Sequence, residues 1–359
     1  MKYPALLSAD QVMSGLDSYD SIIDVRSPSE FALDHLPGAI NCPVLNDEER
    51  VRVGTVYKQQ SAFDAKKIGA ALVAKNIAGH LEHTFSDRER TWRPLIYCWR
   101  GGNRSGAMAH ILAKIGWPVT QLDGGYREYR HQLLAQLEVM PESFQFRVIC
   151  GTTGSGKSRL LETLDKAGAQ VLDLEKLAAH RGSLLGGLPD EAQPGQKMFE
   201  SRIWDKLRRF SSEQVIFVES ESKKIGNLRV PEKLMDKMRA SPCVRIDIST
   251  ESRVQLLIED YPHLVQDTEL LMSQLAHLVP LHGHDKISAW HALAGSGNTP
   301  ALVAALLNEH YDPAYLKSID RNFTGYKNAA VVSMPDISPA SFTDAAQALM
   351  RRCEVMGEI

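Results

Sequence analysis

The sequence predicts an α/β protein with two parallel sheets, the second of which is followed by a helical C-terminal part. Short apolar segments alternate with helical patterns up to about residue 250, and strands that alternate with helices form parallel sheets. A chain of 359 residues is also long for one hydrophobic core, and its composition changes at Met140–Ser143. We therefore expect two domains, residues 1–140 and residues 141–359, the latter mostly helical after about residue 252.

The first domain begins with an apolar strand at Ser21–Arg26. Two further strands are predicted at Leu95–Tyr97 and Val119–Leu122, with an amphipathic helix between them. Residues 45–92 interrupt this pattern with a polar, helix-like insertion. From the sequence, the insertion either borders the pocket around Cys98 or packs on the second domain.

Cys98 directly follows the Leu95–Tyr97 strand, so it is expected at the carboxyl edge of the sheet, where such folds bind ligands. The glycine-rich loop that leads from it into a helix consists of Trp99, Arg100, Gly101, Gly102, Asn103, Arg104 and Ser105. Loop N–H groups, the helix dipole and the guanidinium groups of Arg100 and Arg104 would favour the thiolate and hold an anion against it. We therefore predict that Cys98 is a nucleophile.

Several motifs of the first domain occur together, namely Asp24-Val25-Arg26, Glu30-Phe31, His35-x-Pro37-Gly38-Ala39-Ile40-Asn41, Cys98 to Ser105 and Asp123-Gly124-Gly125. This combination resembles the rhodanese family, which implies a cysteine that carries sulfur or selenium. Five residues separate Cys98 from Arg104, whereas many single-domain rhodaneses have four, and five is the spacing of rhodanese-fold protein phosphatases. The loop is therefore expected to suit a tetrahedral oxyanion, and sulfurtransferase activity does not follow from the fold.

A second glycine-rich loop lies between a predicted strand, Phe146–Cys150, and a predicted helix, Ser158–Lys166. It matches the P-loop pattern at every position, with the residues Gly151, Thr152, Thr153, Gly154, Ser155, Gly156, Lys157 and Ser158. In such a loop the backbone N–H groups surround an anion, the lysine adds charge and the serine can ligate Mg²⁺. We predict that a phosphate or diphosphate binds here, and Mg²⁺ is a candidate ion.

Carboxylates follow the next two apolar strands of the second domain. Asp173 comes after the strand at residues 169–172, and Glu219 comes after Val215–Val218. A carboxylate in this position can hold Mg²⁺ through water, as the second element of a P-loop site does. Glu219 stands where aspartate is more usual, so the sequence leaves metal and nucleotide use open.

Composition and charge limit the classes of partner. No apolar run approaches the length of a membrane span and the N-terminus lacks the apolar core of a signal peptide, so we expect a cytoplasmic protein with no membrane partner. The net charge of −3 gives no general attraction to nucleic acid. Residues 223–239 are nevertheless basic. The segment has two acidic residues, Glu232 and Asp236, and six basic ones, namely Lys223, Lys224, Arg229, Lys233, Lys237 and Arg239. Residues 88–93 form a second, smaller basic segment.

Four strings extend the resemblance over nearly the whole chain, namely Cys98 to Ser105, Gly151 to Ser158, Asp173-Leu174-Glu175 with His180-Arg181-Gly182-Ser183, and Glu219 to Gly226. Together they resemble the bacterial tRNA 2-selenouridine synthase family. The resemblance implies replacement of the sulfur of wobble 2-thiouridine by selenium from selenophosphate, through an S-geranyl intermediate made from geranyl diphosphate. It also implies tRNA as a partner, selenophosphate synthetase as the source of the donor, and no tightly bound cofactor.

In this scheme Cys98 attacks selenium or carries it as a perselenide, and the P-loop stabilises the departing diphosphate without hydrolysing ATP. The basic residues Lys223, Lys224, Arg229, Lys233 and Arg239 are the expected contacts to tRNA phosphates. Two other functions remain open at this point. A small-molecule kinase or ATPase fused to a thiosulfate sulfurtransferase would turn over ATP, and a rhodanese-fold phosphatase would release phosphate through Cys98 without tRNA.

Overall fold

The computed structural model describes residues 3–183, 185–189 and 191–355, apart from the side chains of residues 354 and 355. The chain divides into two compact units. The first comprises the chain up to Gln136 together with Gly195–Asp205, and the second comprises Leu137–Pro194 and the chain from Lys206 onward. The sequence predicted a division near residue 140 and did not separate Gly195–Asp205 from the second domain, whereas in the structure this segment belongs to the first unit.

The reason lies in a helix of the first unit that the segment contacts. Tyr129 donates a hydrogen bond from its hydroxyl to Ser201 Oγ at 3.2 Å, and Arg130 donates to the backbone carbonyl of Lys197 at 3.2 Å. Arg130 also forms an ion pair with Glu200. Local sequence patterns cannot reveal such contacts, because they join residues about 70 positions apart.

Regular elements cover most of the described chain. In chain order the strands are β1 (Ala5–Leu7), β2 (Ser21–Asp24), β3 (Ala39–Asn41), β4 (Pro94–Tyr97), β5 (Thr120–Leu122), β6 (Phe146–Cys150), β7 (Gln170–Leu172), β8 (Ile216–Glu219), β9 (Lys224–Ile225), β10 (Leu228–Arg229), β11 (Pro242–Asp247) and β12 (Gly325–Ser333). The helices are α1 (Ala9–Ser14), α2 (Pro28–Leu33), α3 (Asp47–Gln59), α4 (Ala62–His83), α5 (Asn103–Ile115), α6 (Gly125–Val139), α7 (Lys157–Lys166), α8 (Leu174–Ala178), α9 (Gln196–Leu207), α10 (Glu232–Ala240), α11 (Thr250–Asp260), α12 (Pro262–Gln266), α13 (Thr268–Ala276), α14 (Val279–His282), α15 (His284–Gly295), α16 (Thr299–Leu306), α17 (Asp312–Asn322) and α18 (Pro339–Val355).

The first unit contains a parallel sheet with the order β1-β5-β4-β2-β3. β4 is the central strand, and all four of its residues are buried. Asp24, the last residue of β2, pairs with Tyr97, the last residue of β4. Cys98 therefore leaves the sheet at its carboxyl edge, as predicted from the sequence.

The insertion at residues 45–92 folds mainly into α3 and α4, and it packs on the core of the first unit. Ile77, Phe85 and Trp92 lie in one buried cluster with Ile96 and Cys98. Burial of these large side chains against β4 ties the insertion to the strand that carries the cysteine. The insertion therefore lies beside the Cys98 end of the sheet, which is the first of the two positions that the sequence left open.

A buried polar network supports the same edge of the sheet. Arg26 is 1% exposed and pairs with Asp24 at 2.6 Å, and the Arg26 guanidinium carbon lies 4.0 Å from the centre of the Tyr126 ring. The Tyr126 hydroxyl donates to the carboxylate of Asp34 at 2.7 Å. A buried charge is stable only with such partners, so these side chains are held in one arrangement.

The second unit contains another parallel sheet, with the order β12-β11-β6-β8-β7. α7 and α18 pack in one hydrophobic cluster with this sheet, through residues such as Leu160, Leu164, Phe342 and Leu349. The predicted strands at residues 146–150, 169–172 and 215–218 are confirmed to within one or two residues.

The rest of the second unit is largely helical, as predicted, and has a core of its own. Leu264, Leu275, Trp290 and Leu306 belong to this cluster, which the helices from α12 to α16 share. The prediction did not include β12, which pairs with β11 at the edge of the sheet. Within the described residues, no helix has the length and apolar character needed to cross a membrane.

Candidate active site

The loop after β4 surrounds the sulfur of Cys98. Gly101 and Gly102 have φ values of 63° and 73°, a region that favours glycine, and Gly102 is the N-cap of α5. The Ser105 hydroxyl donates to Cys98 Sγ at 3.3 Å, and the thiol donates to the Arg100 carbonyl at the same distance. Cys98 is 2% exposed. A hydroxyl donor and the first turn of a helix thus lie beside the sulfur of the predicted nucleophile.

The start of α6 holds this loop from behind. The Tyr126 N–H donates to the Cys98 carbonyl at 2.8 Å, and the Arg127 N–H donates to the Trp99 carbonyl at 3.0 Å. Gly125 has a φ of 59°, and a Cβ at this position would lie 2.4 Å from the Cys98 carbonyl oxygen. Only glycine allows so close an approach, which accounts for the Asp-Gly-Gly motif recognised in the sequence.

The side chain of Arg104 is held by a carboxylate of the first unit. Arg104 donates to Glu30 at 2.8 Å, and Arg50 from the insertion pairs with the same carboxylate at 3.0 Å. Burial raises the pKa of Glu30, but the Arg104 hydrogen bond and the two positive charges outweigh it, so the pKa is lowered. Arg100 and Asn103 are exposed at the rim of the loop. Glu30 and Arg50 thus belong to this site, although neither was predicted to have a role there.

The second glycine loop joins β6 to α7, as predicted. Gly154 and Gly156 have φ values of 76° and 80°, and a Cβ on Gly156 would lie 2.7 Å from the Phe342 ring. Lys157 Nζ donates to the Gly151 carbonyl at 2.8 Å, so its charge lies over the loop. Ser155 is 1% exposed, and among the described residues its hydroxyl has no hydrogen-bond partner. This arrangement is that of a phosphate cradle.

Residues far along the chain brace this phosphate loop. The Gly151 N–H donates to the Tyr315 hydroxyl at 2.8 Å. Arg253 donates from Nε to the Thr153 carbonyl at 2.9 Å and pairs with Asp312 at 2.6 Å. None of these three side chains was predicted, because no local pattern connects them with a loop 100 or more positions away.

The carboxylate nearest to the P-loop serine is Glu175. Ser158 Oγ donates to Glu175 Oε2 at 3.0 Å, and the Glu175 N–H donates to Glu219 Oε1 at 2.9 Å. Asp173 accepts from the Lys176 N–H at 2.8 Å and so caps α8. Burial, followed by the charges of neighbouring carboxylates, raises the pKa of Glu219 well above its usual range. Glu175, and not the predicted Asp173 or Glu219, is therefore the carboxylate that contacts Ser158, while Asp173 and Glu219 bond to backbone N–H groups of α8. Glu175 belongs to the recognised Asp173-Leu174-Glu175 string.

A cavity of about 880 Å³ adjoins the loop within the second unit. Its lining combines side chains of the second glycine loop with other charged and aromatic side chains, and includes Lys157, Ser158, Glu175, Arg181, Glu221, Tyr261 and Tyr315. Arg181 lies over the Tyr261 ring, with 4.7 Å from guanidinium carbon to ring centre. A cavity of this size can hold a diphosphate ester together with a second substrate group.

Replacing Glu221 with Gln is expected to stabilise the protein at pH 9 and to leave its stability unchanged at pH 5. Burial and the neighbouring charge of Glu175 raise the pKa of Glu221 to about 8, although Lys157 opposes the shift. A carboxyl group whose pKa is raised by folding contributes its full stability at pH values below the pKa that it has in the unfolded chain. That stability is lost as the pH rises through the folded-state pKa of about 8. At pH 9 we expect the free energy of unfolding of E221Q, measured by urea denaturation, to exceed that of the wild type by about 1–3 kcal/mol.

The matched control is Glu213→Gln, which changes an exposed glutamate away from the cavity. Its stability should follow the wild type at pH 5, 7 and 9. A stabilisation of E221Q that is equal at all three pH values would contradict the buried-acid explanation.

The basic segment 223–239 forms the β9–β10 hairpin and α10. Lys223, Lys224, Arg229 and Lys233 are exposed. Lys223 pairs with Glu232 at 3.1 Å, so part of its charge is offset. Arg239 is partly buried, and its backbone carbonyl accepts from the Thr324 N–H at 3.1 Å. Of the residues predicted to contact tRNA, Arg239 is therefore the least accessible.

Comparisons with known proteins agree with both loops. Residues 8–132 match the family model of the rhodanese-like domain, and residues 144–277 match that of the tRNA 2-selenouridine synthase AAA domain. The tRNA 2-selenouridine synthase of Hydrogenovibrio crunogenus is 38% identical over 253 residues, which cover 68% of this chain and 69% of the relative. That of a Sulfurovum species is 31% identical over 330 residues, which cover 84% of this chain and 89% of the relative.

The chain belongs to the tRNA 2-selenouridine synthase family. A relative of the same name from Nitrosomonas europaea is 37% identical over 244 residues, and the match covers 67% of this chain but only 63% of that relative. The family membership confirms the resemblance inferred from the sequence motifs. Residues 144–277, which match the model of the tRNA 2-selenouridine synthase AAA domain, include the P-loop, Glu175 and Glu221. Tyr311 and Tyr315 lie C-terminal to this range.

Proposed function

We propose that the protein converts wobble 2-thiouridine in tRNA to 2-selenouridine with selenophosphate, through an S-geranyl intermediate made from geranyl diphosphate. The observation that supports this most is the presence, in one chain of this family, of a glycine loop around Cys98 and a complete phosphate loop with Lys157. Neither loop alone would require a tRNA substrate. Together they provide a nucleophile and a diphosphate cradle, the two devices that the reaction needs.

Prenylation makes the sulfur a leaving group. The thiocarbonyl sulfur attacks the first carbon of the geranyl group, the carbon–oxygen bond to diphosphate breaks, and the N3 proton of the base leaves. Negative charge then develops on the diphosphate, where Lys157 and the N–H groups of the loop can stabilise it. This step needs no ATP.

Selenium insertion follows at the other loop. Selenophosphate is a tetrahedral oxyanion, and the loop after Cys98 combines the N-terminus of α5 with the exposed Arg100 at its rim. Cys98 attacks the phosphorus of the bound donor and the phosphorus–selenium bond breaks. The selenide that is released displaces geranyl thiol from C2 of the base, and water then hydrolyses the thiophosphate on Cys98 to phosphate. Selenophosphate synthetase would supply that donor, since selenophosphate is its product.

Mg²⁺ at the P-loop remains part of the proposal. Among the residues that the structure describes, no three acidic, histidine or cysteine side chains converge as a metal site. The oxygen donors Ser158 and Glu175 do suit Mg²⁺, which commonly binds one or two protein oxygens and completes its shell with substrate phosphates and water. Bound there, the ion would offset charge on the diphosphate.

The deciding experiment is mass spectrometry of nucleosides from 2-thiouridine tRNA incubated with the protein, selenophosphate and geranyl diphosphate. We expect 2-selenouridine, with the S-geranyl nucleoside appearing first. Unchanged 2-thiouridine with folded protein would overturn the proposal and direct attention to ATP hydrolysis and phosphatase activity.

Removing charge from the basic segment is expected to weaken tRNA binding and reduce its salt dependence. Lys224 and Lys233 are exposed, and removal of one lysine–phosphate ion pair should lower the slope of log affinity against log salt by about one unit. Binding of tRNA to the double variant K224A/K233A can be measured by filter binding between about 50 and 300 mM salt. Lys327→Ala, an exposed lysine on β12, is the control and should keep the wild-type slope. An unchanged slope in the double variant would place the tRNA surface elsewhere.

A further inference from the structure

A small apolar cavity lies in the second unit beside the phosphate loop. Its volume is about 70 Å³, and the surface it presents is almost wholly apolar. Leu264 and Leu271 form one side, and Leu302, Val303 and Leu306 of α16 form another. The cavity is thus one end of the helical core, left unfilled by side chains.

This cavity adjoins the larger one at the P-loop. Thr153, Ser183, Leu257, Tyr261 and Tyr311 line both. Leu257 touches the phosphate loop itself, since a Cβ on Gly154 would lie 2.9 Å from its Cδ1 atom. A ligand whose phosphate sits on the loop could therefore reach the apolar cavity past the two tyrosines.

Helix α11 fixes the distance between phosphate loop and apolar cavity. It carries Arg253, which donates to the Thr153 carbonyl at 2.9 Å, and it carries Leu257 one turn later. One rigid element thus contributes to both parts of the site. Such a site suits a ligand with an anionic head joined directly to an apolar tail.

We propose that the apolar cavity binds the hydrocarbon chain of an allylic prenyl diphosphate whose diphosphate occupies the P-loop. A nucleoside in this cavity would leave its base without hydrogen-bond partners, at a considerable cost in affinity. A volume of about 70 Å³ corresponds to about five to seven water-sized positions, enough for one isoprene unit or slightly more. The carbons nearest the diphosphate then lie in the larger cavity, where the nucleophilic sulfur must approach. This inference rests on the proposed function, because it assigns a binding site to the hydrocarbon part of the same geranyl diphosphate.

Val303 provides the sharpest test. It is partly buried, lines the apolar cavity and does not line the P-loop cavity. Val303→Phe should fill the cavity and leave the phosphate loop intact. Val265→Phe on α12 tests the opposite wall by the same logic, and Val331→Phe changes an exposed valine of β12 as the matched control.

The measurement is calorimetric binding of inorganic diphosphate, dimethylallyl diphosphate and geranyl diphosphate to the full chain without tRNA. In the wild type we expect affinity to rise with chain length, by about tenfold or more from inorganic to geranyl diphosphate, since each buried methylene contributes about fourfold. V303F should lose that gain and keep its affinity for inorganic diphosphate within about twofold, which also shows that it is folded. V331F should behave as wild type.

Equal wild-type affinity for the three ligands would overturn the inference, as would undiminished geranyl diphosphate binding by V303F. If V303F fails to bind inorganic diphosphate, V265F decides by the same criteria. The two proposals fail separately. If V303F abolishes the chain-length dependence of binding but tRNA is left unmodified by the wild type, the cavity proposal stands and the proposed tRNA reaction is wrong. If the wild type geranylates tRNA but V303F binds geranyl diphosphate as tightly as the wild type, the tRNA reaction stands and the cavity proposal is wrong.

Discussion

Cys98→Ala is expected to abolish 2-selenouridine formation while S-geranylated tRNA accumulates. The substitution removes the proposed nucleophile at the start of the glycine loop, and Ser105 loses the sulfur to which it donates. Prenylation should continue, because its diphosphate cradle is a separate loop in the second unit. We expect the rate of selenium insertion to fall about 10³-fold or more, as when a catalytic nucleophile is removed. Nucleoside mass spectrometry with both substrates present measures the two products together.

Cys42→Ala is the matched control for this variant. Cys42 is also 2% exposed and belongs to the same hydrophobic cluster, and burial raises the pKa of its thiol to about 11. A thiol held in its neutral form is a poor nucleophile, so C42A should make 2-selenouridine as the wild type does. If C98A still formed 2-selenouridine and C42A did not, the nucleophile would be Cys42 and the assignment to Cys98 would be wrong.

Lys157→Ala is expected to remove both products. Its ammonium group lies over the phosphate loop, 2.8 Å from the Gly151 carbonyl, where it can neutralise charge on the departing diphosphate. Without it the loop loses one of the groups that stabilise the departing diphosphate, and loss of one such group typically costs about 10²- to 10³-fold in rate. The rate of S-geranyl nucleoside formation, followed with geranyl diphosphate alone, tests this directly.

A second substrate separates the two steps in this variant. Given tRNA that is already S-geranylated, K157A should form 2-selenouridine at the wild-type rate, because the diphosphate has already left. Lys166→Ala in the last turn of the same helix, where the lysine is exposed and pairs with Glu162, should leave both steps unchanged. If folded K157A fails on S-geranylated tRNA as well, the division of roles between the loops is wrong.

Both loops could be predicted from the sequence because their information is local. A strand, a run of glycines with positive φ and a helix N-terminus are encoded within about ten consecutive residues, as Cys98 to Ser105 and Gly151 to Ser158 illustrate. The parallel strands that carry the loops were predicted for the same reason, since apolar runs between helical patterns require no knowledge of distant partners. The family resemblance depends on these same strings.

Tertiary structure alone decided which side chains complete each site. Arg104 pairs with Glu30 across 74 positions, and Tyr315 contacts Gly151 across 164. The assignment of Gly195–Asp205 to the first unit and the pairing of β12 with β11 are equally non-local. A pattern within one segment constrains its own backbone and its buried face, but the partner of that face is chosen by packing and by the need to satisfy buried polar groups over the whole unit. For this reason the sequence determined where the two loops are, and only the folded chain determined which residues surround them.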